Sequence, residues 1–510
     1  MSRQLSHALL VVAVSVIYAM IGCQPDRKPR ESASRNKREQ NTTSRVVNQH
    51  GPVDGAAVRV PGGPVLAISD EQGRFQMPVT EHSVLSVFKS GHYIKRIEQA
   101  SFSGTIELEL LPCEDSPDYL WVDPTPDSDR PASCGNCHNE VYQQWDDGAH
   151  ARAAVNRRFL NLYDGHDADG KADVGWSLLR DHPQGSGVCQ SCHAPSTSAE
   201  NLEDDIRSIR NVAKLGVHCD FCHKVNDVVN AEQLGLAHGQ YALGLLRPTK
   251  RQLVFGPRSD ATGLDNAYAP VQSESRFCAS CHEGTIFGVH VYSTWSEWRD
   301  SPAGRRGVRC HSCHMKTNHQ MTNTAPGHGG PERRAQDIAS HDLLPGGRKA
   351  MLQGCLKMDV DAEVQSDSWQ ITATVTASGA GHAVPTGFID RHLLLSLSAR
   401  DEKGNEMMPQ TGPLLSHVAS EPLVNKGGLL FAKLLTGVDG KTPSPFWMPV
   451  ARVHDTRLRP QKPQSGTWTF PKKTKTVEVT LVYRRFWREV AIAKRWKDDD
   501  VVVFQRLLQL

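Results

Sequence analysis

The pattern of hydrophobic and polar positions divides the chain after its first 50 residues into three zones. In residues 51–111, short apolar runs alternate with turn clusters, and 106–110 alternate strictly between apolar and polar side chains. The same period of two returns at 369–375 and 477–483. A period of two is typical of half-buried β-strands. We therefore expect β domains at both ends, separated by a zone, 113–348, in which the cysteines concentrate.

The N-terminal segment has the features of an export signal. An apolar run of about 14 residues, 8–21, follows Arg3 and is too short to cross a bilayer. It ends at Gly22-Cys23, which resembles the box of bacterial lipoproteins, in which such a cysteine is acylated. We predict a lipoprotein signal peptide over 1–23 with Cys23 as lipid site; secretion without an anchor is the alternative. Residues 24–50 are rich in Lys, Arg, Ser and Thr, which predicts a disordered tether.

The composition narrows the classes of partner and raises a question about thiols. The 510 residues carry a net charge of +2, which argues against a nucleic-acid-binding protein. Only 38% of the residues are hydrophobic and 6% aromatic, which is a low apolar content for a chain of this size with ordinary side-chain cores. The chain nevertheless holds 13 Cys and 23 His. The spacing of these residues decides their chemistry.

Ten of the cysteines occur in five Cys-x-x-Cys-His motifs. The two thiols of such a motif can add to the vinyl groups of one haem, and the adjacent histidine can then bind its iron. We predict five c-type haems as cofactors. The attachment residues are Cys134, Cys137, Cys189, Cys192, Cys219, Cys222, Cys278, Cys281, Cys310 and Cys313, and the proximal ligands are His138, His193, His223, His282 and His314.

Zinc ribbons, iron–sulfur sites and thiol redox motifs are the competing interpretations of these Cys-x-x-Cys pairs. Zinc ribbons pair two Cys-x-x-Cys units at about 15–20 residues, whereas these motifs lie roughly 25 to 55 residues apart. A histidine after all five pairs also favours haem, because only 23 of 510 residues are histidine. Besides Cys23, Cys113 and Cys355 remain, and they form either a disulfide that closes the haem zone or two unpaired thiols.

The sixth ligand of each iron decides between electron transfer and catalysis. An iron with two histidines is saturated, whereas an open iron can bind a small molecule. We select as candidate distal ligands His150, His218, His238, His328 and His341. His150 is expected on a helix that leaves the first motif. His382 is either a ligand from the last domain or a turn residue between Gly381 and Pro385, and the sequence favours a turn or interface position.

Several motifs resemble known families. The stretch from Cys134 to Trp145 with Ala149-His150-Ala151 looks like the tetrahaem cytochrome c-554 group, which belongs to a class containing hydroxylamine oxidoreductase and pentahaem nitrite reductase. The resemblance implies electron transfer between haems, with nitrogen or sulfur chemistry in some members. No Cys-x-x-Cys-Lys motif occurs, so the lysine-ligated catalytic haem of nitrite reductases is not expected. In 51–112, the motifs around Gly55, Asp70 and Gly91 resemble a carboxypeptidase regulatory-like domain.

These features predict a multidomain chain with a mainly α or irregular multihaem cytochrome c module flanked by two all-β sandwich domains. The boundaries are 51–112 for the regulatory-like sandwich, 113–348 for the pentahaem module and 349–510 for the second sandwich. We expect an exported, lipid-anchored electron carrier on the periplasmic side of a bacterial envelope, with redox donor and acceptor proteins as partners and no nucleic acid.

Two alternatives to the carrier stay open. One is a reductase or oxidoreductase acting on a small nitrogen or sulfur compound at an open iron, because the stretch 265–270 lacks the histidine that precedes the fourth motif in many similar cytochromes. The other is a surface scaffold whose β domains bind a partner.

Overall fold

A computed structural model describes residues 42–77, 84–98, 104–183, 187–197, 205–228, 239–497 and 500–510. The predictions of a signal peptide and of acylated Cys23 lie outside these residues, as does His238. Within them, no helix is long and apolar enough to span a membrane.

The N-terminal domain consists of two small sheets that share one apolar core. The strands are β1 (Thr42–Asn48), β2 (Gly51–Pro52), β3 (Ala57–Arg59), β4 (Val65–Ile68), β5 (Arg74–Met77), β6 (Val84–Phe88), β7 (Lys95–Glu98) and β8 (Thr105–Glu107). One sheet has the order β2-β1-β5 with β8 parallel to β1, and the other has the order β4-β3-β6-β7. Inward residues of both sheets, among them Val46, Val58 and Leu85, form a common core. The likeness to a carboxypeptidase regulatory-like domain stays a prediction.

The predicted tether extends too far along the chain. Strand β1 begins at Thr42 and pairs with three other strands, and its Val46 is fully buried. The density of Lys and Arg suggested disorder here. However, Ser44 and Val46 face the core while Arg45 faces solvent, so the basic residues occupy only the outer side of a strand.

The middle zone contains short helices, short hairpins and long irregular connections. Its helices are α1 (Cys134–Cys137), α2 (Asn139–Asp146), α3 (Arg157–Asp164), α4 (Leu178–Asp181), α5 (Gln190–His193), α6 (Cys219–Cys222), α7 (Arg276–His282), α8 (Thr294–Arg299), α9 (Pro302–Arg305) and α10 (His311–His314). Two-stranded ladders join β9 (Val225–Val228) to β10 (Leu243–Leu245), β11 (Val254–Gly256) to β12 (Asn266–Tyr268), and β13 (Glu283–Ile286) to β14 (Val289–Ser293). Single 3₁₀ turns lie at Gly187–Cys189, Ile206–Ser208, Asn211–Leu215, Gly239–Ala242, Pro270–Ser273 and Ala335–Asp337.

The C-terminal domain begins with helix α11 (Gly347–Cys355) and is otherwise mostly β. Its strands are β15 (Lys357–Val364), β16 (Ser368–Thr376), β17 (His392–Asp401), β18 (Glu406–Met407), β19 (Gly428–Phe431), β20 (Lys433–Gly437), β21 (Val450–Asp455), β22 (Pro463–Pro471), β23 (Thr474–Arg484) and β24 (Val501–Gln509). A 3₁₀ turn lies at His417–Ala419 and helix α12 spans Arg488–Ala493.

Two sheets of this domain meet across its largest apolar core. The sheet β15-β16-β22 contributes Ile371 and Trp468, and the five-stranded sheet built on β17 and β23 contributes Leu395 and Val479. The alternation that the sequence shows at 369–375 and 477–483 therefore corresponds to strands β16 and β23, as predicted. The chain is thus multidomain, with sheets on both sides of a helical and irregular middle zone.

Buried polar contacts fasten both outer domains to the middle zone. Asp260 forms an ion pair with Arg333 at 2.9 Å and accepts a hydrogen bond from the backbone N–H of Gly62 in the N-terminal domain. On the other side, the buried Lys494 ammonium donates to the backbone oxygen of Asn161 at 2.8 Å. Buried polar groups with satisfied partners define one relative placement of the elements that carry them.

Candidate functional site

Each of the five motifs lies on a single helical turn. The motifs occupy helices α1, α5, α6, α7 and α10, of which only α7 is longer than four residues. A single turn places the two cysteines of a motif and the histidine that follows them next to each other on one side of the backbone. The local geometry is therefore the one that haem attachment and proximal ligation require together.

Hydrogen bonds between cysteine side chains join different motifs. The Cys219 thiol interacts with Cys134 and lowers the pKa of Cys134. The same relation joins Cys192 to Cys281 and lowers the pKa of Cys281. A third such bond, between Cys278 and Cys310, lowers the pKa of Cys310 to about 7. The first motif thus contacts the third, and the fourth contacts both the second and the fifth.

Four of the five motif histidines are oriented by a backbone carbonyl. The Nδ1–H of His138 donates to Thr324 O at 2.8 Å, that of His193 to Ala153 O at 2.9 Å, that of His223 to Phe255 O at 2.6 Å and that of His314 to Leu343 O at 3.0 Å. A donor bond at Nδ1 leaves the lone pair at Nε2, which is the usual arrangement of a metal-binding histidine. Each carbonyl comes from a segment remote in sequence, so this second layer of contacts has no local sequence signal.

Two motif histidines face a second histidine ring. The ring centres of His282 and His150 are 6.3 Å apart, with an angle of 43° between the ring planes. Those of His314 and His382 are 6.2 Å apart and the planes are within 17° of parallel. Burial lowers the pKa of His150 to about 4 and that of His282 to about 3, so both rings are neutral near pH 7.

These separations fit a shared metal ion. A metal–imidazole bond measures about 2 Å and each nitrogen lies about 1.1 Å from its ring centre, so two rings on opposite sides of one metal are about 6.3 Å apart. The two observed ring distances match this value. Directly stacked rings lie closer, as His193 and Phe159 do at 3.9 Å. The residues at the fourth and fifth motifs therefore fit a six-coordinate haem.

The surroundings of the first motif also fit a large cofactor. His218 is fully buried, and its Nδ1 accepts from the backbone N–H of Phe221 at 3.3 Å, while its Nε2 has no hydrogen-bond partner. Its ring packs edge-on against Trp121 with centres 5.6 Å apart. Trp121 also lines a cavity of about 640 Å³ that extends to Ser133, the residue before Cys134. A buried ring nitrogen without a partner is costly unless a ligand or metal satisfies it.

The remaining candidate distal histidines differ in their surroundings. His341 is mostly buried, its Nδ1 has no partner, and burial together with the nearby His223 and His138 lowers its pKa to about 4. His328 is exposed on the loop that follows the fifth motif. His238 lies outside the described residues, but Gly239 packs against the second motif so closely that a Cβ there would lie 1.9 Å from Ser191 O.

Two further expectations from the sequence are wrong. His150 does not lie on the helix that leaves the first motif, because α2 ends at Asp146 and His150 lies in the turns that follow. The repeat of apolar residues had suggested a longer helix, but Gly148 interrupts it. Cys113 and Cys355 do not form a disulfide: both thiols are free, Cys113 is exposed, and burial together with the nearby Cys313 raises the pKa of Cys355 to about 11.

His382, for which the sequence favours a turn or interface position over a ligand role, lies in a loop of the C-terminal domain beside His314. The turn interpretation accounts for its position in a loop, since that loop contains the Pro385 turn, but not for its burial beside His314. Its Nδ1 donates to the backbone oxygen of Ala383 at 2.9 Å, which leaves Nε2 available, as in the motif histidines. The available signal was its position directly after Gly381 in a loop that otherwise contains few polar side chains.

Comparisons with known proteins agree with this geometry. Residues 133–224 match the family model described as cytochrome c554 and c-prime. The chain is also similar in structure to a penta-heme cytochrome c552 from Thermochromatium tepidum, with a TM-score of 0.54 and 22% identity over 74% of this chain and 97% of that one. A structural-genomics target designated SoR45 has 12% identity and a TM-score of 0.13, over 31% of this chain and 89% of that one, which is too low to carry an argument. No curated protein sequence matches.

Proposed function

We propose that this chain is a multihaem c-type cytochrome, with haem-based electron transfer as its function and redox proteins as its partners. We propose that it carries five covalently attached haems and acts as an exported electron carrier held to the bacterial envelope by lipidated Cys23. The five Cys-x-x-Cys-His motifs support the number of haems. The apolar run before Gly22-Cys23 supports export and the lipid anchor.

We propose a second histidine ligand for each of the five haem irons. Four of these assignments rest on contacts of the described histidines, and the one for the second haem rests on the packing of Gly239. His282 pairs with His150 and His314 with His382, on the ring distances given above. His218 serves the first haem, beside the cavity at Trp121, and His341 serves the third, next to His223. For the second haem the candidate is His238, because its neighbour Gly239 packs on that motif. His328 is left without a proposed partner.

The residues of the chain favour electron transfer without rearrangement of bonds. When bound, a c-type haem supplies a one-electron ferric–ferrous couple. Backbone carbonyls such as Thr324 O and Leu343 O hold the motif histidines in one orientation in both oxidation states. Their lowered pKa values keep the facing histidines His150 and His282 neutral near pH 7. The contacts between motifs join the first attachment point to the third, and the fourth to the second and the fifth. Cys281 of the fourth motif also lies close enough to Cys222 of the third to affect the pKa of Cys222, which links the two groups.

The single observation that carries this proposal is the pair of histidine–histidine distances near 6.3 Å. Film voltammetry of the mature protein tests it. We expect reversible waves that do not change when nitrite, hydroxylamine or tetrathionate is added, because saturated irons offer no substrate position. A catalytic current with any of the three compounds would replace the carrier with the oxidoreductase alternative.

A further inference from the structure

A buried ion pair lies between the domain that contains His382 and the haem zone. We propose that Glu297 and Arg457 form a clamp that positions His382 opposite His314, so that the C-terminal domain controls the coordination of the fifth haem. Glu297 and Arg457 are positioning residues, because they act through the loop that carries His382. This inference rests on the proposed axial role of His382.

Arg457 connects the clamp to the loop from the side of the C-terminal domain. Its Nη2 lies 2.6 Å from Glu297 Oε1 and 2.8 Å from Asp455 Oδ2. Its Nη1 donates to the backbone oxygen of Pro385 at 3.4 Å, three residues after His382. The side chains of Arg457 and Glu297 are only 6% and 7% exposed. One guanidinium therefore holds the haem zone, its own domain and the histidine loop together.

Glu297 connects the clamp from the side of the haem zone. It lies in α8, shortly after the fourth motif, and accepts a hydrogen bond from Ser293 Oγ at 2.6 Å. It also accepts from Thr386 Oγ1, in the histidine loop, at 3.1 Å. Thr386 Oγ1 is in turn 2.9 Å from Thr294 Oγ1 at the start of α8. The same loop is therefore held from both sides of the domain boundary.

The backbone of the loop leaves little freedom around His382. Val384 and Leu458 exchange two backbone hydrogen bonds of 2.9 and 3.0 Å, and Leu458 directly follows Arg457. On the opposite side, a Cβ at Gly381 would lie 3.3 Å from Trp298 Cδ1. A displacement of Arg457 or of Glu297 would thus be transmitted to His382 through two or three residues.

The cost of such a pair indicates that it does more than stabilise the interface. Desolvation of two buried charges offsets most of their attraction, and well-packed apolar residues often stabilise a protein as well or better. The pair instead fixes the geometry of the interface, because a guanidinium with several fixed acceptors allows its neighbouring groups only one arrangement. Here that placement is the one that brings the His382 ring to 6.2 Å from His314.

The test uses the full, haem-loaded chain with Glu297→Gln and with Arg457→Met. We expect both to shift the same haem, one of the five, partly from low spin to high spin in ferric magnetic circular dichroism spectra. Added imidazole should restore the low-spin spectrum, which a general loss of structure would not allow. The matched control is Asp260→Asn, which breaks the buried pair with Arg333 at the other domain boundary and should leave all spectra unchanged.

The outcomes separate the clamp from the proposed function. Folded clamp variants with wholly low-spin haems, or an identical change in Asp260→Asn, would overturn the clamp. If His382→Gly itself leaves the spectra unchanged, the axial assignment fails, and the clamp with it. Should both clamp variants fail to fold, Thr386→Val removes the hydrogen bonds of Thr386 Oγ1 with Glu297 and Thr294 but keeps the ion pair of Glu297 with Arg457. It should speed imidazole binding at the fifth haem severalfold, and an unchanged rate would overturn the proposal.

Discussion

The imidazole rings of His314 and His382 lie within 17° of parallel, with their centres 6.2 Å apart, although the two residues belong to different domains. His314 ends the last haem-binding motif and His382 lies in a loop of the C-terminal domain. If His382 binds the fifth haem as proposed, the coordination of that haem depends on how the C-terminal domain docks.

Replacing His382 with glycine should convert one haem of the five to high spin. The iron would lose its sixth ligand while Cys310, Cys313 and His314 still hold the haem. We expect a loss of about one fifth of the ferric low-spin signal in magnetic circular dichroism, reversed by added imidazole. His454→Gly is the control, because His454 is exposed on β21. An unchanged spectrum in the His382 variant would contradict the ligand assignment.

Gly216→Ala should disturb the fourth haem through His150. Gly216 has a φ of +64° and a Cβ there would lie 2.4 Å from the backbone oxygen of His150. The neighbouring Val217 N–H donates to that same oxygen at 3.0 Å, so the turn that carries His150 cannot move away freely. We expect a mixed-spin fourth haem in resonance Raman spectra.

The control for this substitution is Gly404→Ala. Gly404 has a φ of +82°, and a Cβ there would have no neighbouring atom within 4 Å. Gly404→Ala therefore introduces the same kind of backbone strain as Gly216→Ala but no clash. If both variants alter the haem spectra equally, or neither does, the contact with His150 is not what positions the ligand.

Asp390→Asn should remove a pH dependence of stability. Burial raises the pKa of Asp390 to about 7, and its Oδ2 has no hydrogen-bond partner. Since the folded-state pKa is raised, the folded protein binds the proton more tightly than the unfolded chain. This stabilising contribution is complete below about pH 4 and is lost as the pH rises through about 7.

Thermal melts between pH 5 and pH 8 measure this effect. The wild-type melting temperature should fall relative to that of Asp390→Asn as the pH rises, by an amount equivalent to about 3 kcal/mol over this range. Burial lowers the pKa of His392 to about 3. Because this histidine is present in both proteins, its effect on the melting temperature cancels when the two are compared. Parallel melting curves for the two proteins would contradict the raised pKa.

Lys224→Met should destabilise the third motif, and a second substitution should reverse most of the loss. Lys224 is fully buried and pairs with Asp220, which is only 5% exposed. Removing the ammonium leaves a buried carboxylate supported only by Tyr119 and the Val122 N–H, at a cost of about 3 kcal/mol. In guanidinium unfolding, the double variant Asp220→Asn with Lys224→Met should recover much of the free energy of unfolding. A double variant as unstable as the single one would show that packing dominates.

Covalent haem attachment can be predicted from the sequence because its chemistry is local. A Cys-x-x-Cys-His motif encloses two attachment points and one ligand within a single helical turn, as at Cys134–Cys137. Strands β16 and β23 were likewise predictable, because a period of two follows from burial of one face.

The distal side of each haem could not be predicted in the same way. The facing residues come from elsewhere in the chain, so the pairing of His282 with His150 has no local pattern. His382 was assigned to a turn because a histidine beside glycine and proline fits a turn equally well. Strand β1 was not predicted, because its outward residues are basic and a basic composition suggested disorder. The alternation that buries Val46 was given less weight than this composition.

The most direct test of the central claim is the intact mass of the mature protein under denaturing conditions, where only covalently bound haem remains on the chain. Thioether bonds at all five motifs predict a mass increased by five haem groups. An increase of four haem groups or fewer, or haem that dissociates on denaturation, would contradict the account of a five-haem electron carrier.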